Sequence, residues 1–102
     1  MESRLRHDLR HPISTISMIA STMAEFGDSV EEESLRAYGS QVMAELVALE
    51  QLIQEHDLNL ELGRFRHLAE GFAASPRDVS LAVQLEAECK KVIERLATEA
   101  GA

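Results

Sequence analysis

From Leu5 onward the apolar residues fall at Leu5, Leu9, Pro12, Ile16, Ile19, Met23 and Phe26, in alternating steps of four and three. That spacing is the a/d rhythm of a helix packed in a bundle. Gly27-Asp28 interrupts it, and Ser29 with Glu32 three residues later has the form of a capping box opening a second helix. The second stripe holds Leu35, Val42, Leu46, Leu49, Ile53 and Leu60, widened by Leu52, with Gly39 and His56 at two further seam positions. A connection as short as residues 27–30 between two long amphipathic helices predicts an antiparallel hairpin. Two such stripes do not fully bury each other in a two-helix unit. A second copy, completing a homodimeric four-helix bundle, is the simplest way to cover what remains.

The rhythm breaks around Gly63, Gly71 and Ser75-Pro76, so residues 63–78 read as a connector with a short extended piece at Arg64–Leu68. Leu81, Leu85, Cys89, Val92 and Leu96 then mark a third helix, which Ser75-Pro76 with Asp78 could start early, or Asp78 or Ser80 later. The expected fold is all-α. Residues 1–62 form the hairpin, and residues 63–102 form the connector and a C-terminal helix packed near the base of the bundle. A chain of 102 residues suffices for one modest core, and its few aromatics, prolines and glycines agree with helices rather than a sheet sandwich.

Charge narrows the partners. The formal net charge of -8 repels a nucleic-acid backbone or an anionic membrane. Within residues 1–12, however, Arg4, Arg6 and Arg10 stand against only Glu2 and Asp8, so a small basic island opens an acidic chain. An ordinary solvated first turn explains that island equally well. The single cysteine, Cys89, excludes an intrachain disulfide and suggests a reducing compartment. No apolar run approaches the roughly 18 residues of a membrane span. A cytoplasmic protein is expected, or the cytoplasmic part of a membrane-bound parent.

Candidate chemistry gathers in the island. The register that puts Leu9, Ile16 and Met23 at a places His7 at f, farthest from the seam. An exposed helical histidine is usually inert, but this one adjoins Asp8, lies within a turn of three arginines and precedes Pro12 by five residues. Pro12 has no N–H for the Asp8 carbonyl and crowds it, so the turn bearing His7 and Asp8 should be kinked or loosened. A mid-helix proline costs roughly 3 kcal/mol relative to alanine. A structural kink or a functional constraint would each account for it.

The run Arg6-His7-Asp8-Leu9-Arg10-His11-Pro12-Ile13 resembles the H-box of sensor histidine kinases, in which a phosphoaccepting histidine precedes an acid, Leu, Arg, a small polar residue, Pro and an aliphatic. Residues 1–62 look like the dimerisation and histidine-phosphotransfer hairpin of that family. Residues 76–101 look like the first strand and helix of its ATP-binding domain. The resemblance implies that His7 accepts a phosphoryl group, with Asp8 as orienter and general base and Arg10 offsetting phosphate charge or bridging within the bundle. ATP and Mg²⁺ would act from a separate catalytic domain, on the same or another chain, and no cofactor is expected in this one. The phosphoryl group would leave to an aspartate of a response regulator receiver domain docked on the outward face of the first helix, near Ser14, Ser17, Met18 and Ser21. Two departures matter. The family's asparagine-bearing helix and glycine-rich ATP lid have no counterpart here, and His11 replaces the usual Thr or Asn, which puts phosphatase activity in doubt.

Other readings compete. A stand-alone histidine phosphotransferase relay, or the phosphoacceptor half of a split kinase, would carry the same motif, and a fragment of a longer kinase would end as this chain does. A purely structural helix pair leaves the H-box unexplained. His7 and His11, four apart, have the spacing to share a metal on one helix face, but no third and fourth ligands with suitable spacing accompany them, so no metal is expected. His56, at a seam position, reads as a buried or interfacial histidine, and His67 carries no signal.

Overall fold

A computed structural model describes residues 3–101. They form α1 (Ser3–Phe26), a single 3₁₀ turn (Gly27–Ser29), α2 (Glu32–Glu55), α3 (Gly63–Ala74) and α4 (Val79–Gly101). No strand occurs among the described residues, so the all-helical expectation holds. Glu2, one of the two acids weighed against the arginine island, lies outside them. α1 lies against α2 on one side and α4 on the other, and α3 lies between α2 and α4. The four helices thus close a ring within one chain, in a body of 42 × 21 × 20 Å.

This closure changes the reading of the hairpin stripes. Leu9, Ile16 and Met23 of α1 and Leu35, Val42, Leu46 and Leu49 of α2 are buried as the rhythm predicts. They share one core with Phe65, Leu68 and Phe72 of α3 and Leu85, Cys89, Val92 and Leu96 of α4. The surface that called for a second copy is therefore covered in cis. Ile13 and Ala20, outside the predicted stripe, are buried as well. α1 needs the wider face because it meets two neighbours. α4 runs beside α1 rather than only at the base of a hairpin.

Residues 63–74 correct the connector and its extended piece at Arg64–Leu68. Phe65, Leu68, Ala69 and Phe72 are buried at i, i+3, i+4 and i+7, a helical face. Gly63 starts the helix and Gly71 sits within it. Each glycine inside a helix costs about 1 kcal/mol against alanine, whereas burying a phenylalanine returns about 1.5–3 kcal/mol. Burial wins. The strand expected from residue 76 is likewise absent: Val79 already opens α4, and the Asp78 carboxylate accepts the Leu81 N–H at 3.2 Å, one of the two late caps foreseen.

Three smaller expectations also change. The Ser29–Glu32 capping box does not form, because Ser29 belongs to the 3₁₀ turn and α2 starts after Glu31 without a side-chain cap. Glu32 and Glu33 in the first turn favour the helix dipole instead. Phe26 leaves its seam position and is 54% exposed, because Gly27 turns inward beside Met23. His56 is exposed and ends α2. Beyond it Asp57 takes φ 50, its N–H reaching the Gln54 carbonyl and the Leu58 N–H the Ile53 carbonyl, the paired bonds of a Schellman ending. α1 itself runs unbroken through the buried Pro12.

Polar clasps fix the ring at both ends. Arg77 donates to the carbonyls of Gly27 and Val30 at 2.9 and 3.1 Å, joining the α1–α2 and α3–α4 turns. Arg66 of α3 donates to both carboxylate oxygens of Glu50 on α2 at 2.6 and 2.7 Å, which raises the Arg66 pKa. At the far end Arg95 donates to the Glu61 carbonyl and, at 2.6 Å, to the buried carboxylate of Glu88.

Among the described residues no helix is long and apolar enough to cross a membrane. Cys89 is fully buried, and burial, with Glu86 and Glu88 nearby, pushes its thiol up to about 12. The folded state thus favours the neutral thiol. Its contribution is complete below the ordinary value of 9.0 and is lost as pH rises from there towards about 12. Cys89 is expected to resist an aromatic disulfide reagent at pH 8 in the native protein and to react at once in denaturant. Rapid native labelling would contradict this packing.

Candidate functional site

The island residues take their positions from the register of α1. Leu9, Pro12 and Ile13 turn into the core, which sends the intervening side chains outward. Ser3, Arg6, His7, Arg10, His11 and Ser14 are all exposed and together line a groove of about 390 Å³ on the outer face of α1. The structure thus brings together His7, Arg10, His11 and Ser14 with Arg6, a second arginine of the expected island, and adds Ser3. Among the described residues neither Arg6 nor Arg10 enters an ion pair.

Asp8 is placed differently. It is exposed but does not line the groove, and no hydrogen bond joins it to His7 among the described residues. The reason is helical geometry: successive residues point about 100° apart, so i,i+1 neighbours do not face each other. Asp8 sits beside the groove's rim, nearest on the helix surface to Arg4 and His11, at i−4 and i+3.

Met18 stands 69% exposed in a second groove of about 490 Å³ that continues the first through Ser14. Ser17, Ser21 and Thr22 line it from α1, and Glu86, Lys90 and Ile93 from α4. The α4 contribution had no sign in the sequence, because the rhythm of one helix does not tell which helix lies alongside.

Chemically, the first groove offers two guanidiniums and two hydroxyls to an anion, with two imidazoles on its wall. Arginine suits phosphate because its planar fork matches the oxygens and remains charged at all relevant pH. Neutral imidazole is a competent nucleophile near pH 7. Among the described residues no cluster of three His, Cys, Asp or Glu suited to a metal is present. His56 and His67 are exposed and line neither groove. No family model matches the chain, and comparison with curated proteins and with solved structures found no significant match.

Proposed function

We propose that this chain is the phosphoacceptor module of a two-component histidine kinase system, a cytoplasmic phosphoprotein that receives a phosphoryl group on His7 and passes it to an aspartate of a response regulator. The observation that carries this reading is the exposure of His7 within a groove shared with Arg6 and Arg10. A ring nitrogen open to solvent can reach phosphorus in line, and the guanidiniums offset charge gathering on the phosphoryl oxygens. ATP and Mg²⁺ belong to a separate catalytic domain. Asp8, expected as general base, does not face His7, so the proton of His7 passes to the leaving group or to water, and the receiver domain docks on the outer face of α1 along Ser14 and Met18.

A module of a larger kinase and a stand-alone relay share this reading, and in either α3 and α4 pack back on α1 and α2 around a core within the chain. Homodimerisation stays in the proposal as an assembly through outer faces, since the core positions meant for a second copy are filled. A small donor tests the acceptor directly. In potassium phosphoramidate at neutral pH, His7 is expected to gain acid-labile phosphate several-fold faster than His56, as read by tandem mass spectrometry. His7→Gln removes the phosphate at that position with helical content unchanged. Equal rates at His7 and His56 would end the proposal.

A further inference from the structure

The dipeptide Arg6-His7 recurs as Arg10-His11, four residues later. Four residues are about one helical turn, so the second pair stands above the first on the same face, with the same lateral order of guanidinium and imidazole. All four side chains line one groove, bounded along the helix by Ser3 and Ser14. Arg10 stands three residues after His7 and next to His11 in the same groove, so one guanidinium can offset the charge of an anion at either ring.

Helical spacing puts Asp8 on the His11 side of the groove, although no ion pair joins the two among the described residues. Asp8 is adjacent to His7 in sequence and points about 100° away from it, but it precedes His11 by three residues, a spacing at which helix side chains are neighbours. A carboxylate there can accept a hydrogen bond from one ring nitrogen while the other faces the groove. Thr15 donates to the His11 carbonyl at 3.1 Å, one turn beyond His11, while the Asp8 carbonyl is the one that Pro12 leaves without an N–H.

We propose that His11 is a second phosphoryl acceptor, alternating with His7; the inference rests on the phosphoacceptor reading of this groove. With phosphoramidate as donor, a His11 ring nitrogen attacks phosphorus, the P–N bond of the donor breaks, and ammonia departs carrying the proton that the imidazole gives up. The product is an N-phosphorylated His11 and an ammonium ion. Two phosphoryl groups one turn apart repel each other, so each molecule holds one, on either ring.

The test follows phosphate on each histidine of the intact wild-type chain and of His7→Gln, both treated with potassium phosphoramidate at neutral pH and read by tandem mass spectrometry. His56 serves as internal comparator: it too is exposed but is flanked by Glu55 and Asp57. The expected result is that His11 in His7→Gln gains phosphate several-fold faster than His56, and that wild-type protein gives two singly phosphorylated isomers. If His11 in the variant reacts no faster than His56 while wild-type His7 does, His11 is not an acceptor and the reading of His7 stands. If neither outpaces His56, both proposals fall.

Discussion

Phe72→Ala is expected to lower stability by about 3–5 kcal/mol, the usual cost of emptying a phenylalanine site in a packed core. For a domain of this size each kcal/mol moves the melting temperature by about 4–8 °C, so a circular-dichroism melt should shift by roughly 12–40 °C. Total stabilities of about 5–15 kcal/mol leave such a variant near the edge of folding. Phe72 is fully buried on α3, among residues whose glycines suggest a connector. A connector would lose almost nothing on truncation. A melt within a few degrees of wild type would therefore refute the packing of α3 in the core.

The second large effect concerns charge. Glu88 is the one polar side chain found buried among the described residues, at 3% exposure, with Arg95 at 2.6 Å from one carboxylate oxygen and Arg64 at 3.6 Å from the other. Removing one partner of a buried pair leaves an uncompensated charge, which costs about 3–5 kcal/mol. Arg95 is 38% exposed, so water screens part of this, and Arg95→Ala is expected to cost about 2–3 kcal/mol. Glu88→Leu in the same chain should restore most of the loss, because an apolar side chain of similar volume needs no partner. The non-additivity of the two changes in urea melts measures the coupling. Strict additivity would show that Arg95 does not hold Glu88.

Much of this architecture is legible in the chain itself. The steps of four and three place Leu9, Ile16 and Met23 inside and His7, Ser14 and Met18 outside, and the structure agrees at every one of these positions. Asp78 is readable as a cap for the same reason: a short acceptor before an apolar run satisfies free N–H groups locally. The residues that misled were those whose local preference is weak beside what surrounds them. Gly63 and Gly71 suggest breaks, yet Phe65 and Phe72 between and beside them bring more burial than the glycines cost. His56 has a seam spacing, but α2 ends there and its side chain faces solvent.

The sequence by itself determined that this protein is helical, that two long helices follow each other across a short turn, and which face of α1 carries an accessible imidazole beside arginines. Each of these follows from the angle between successive residues on one helix, a local quantity, whereas α2 stops at Glu55, short of the Leu60 counted in its stripe. Only the tertiary structure decided what meets the apolar faces: that α3 and α4 of the same chain fill them, that Ile13 and Ala20 are needed in the core, and that Glu88 is enclosed with Arg95. A hydrophobic stripe states that it must be covered but not by what, because the burial of apolar surface is non-directional and any complementary face of suitable shape satisfies it.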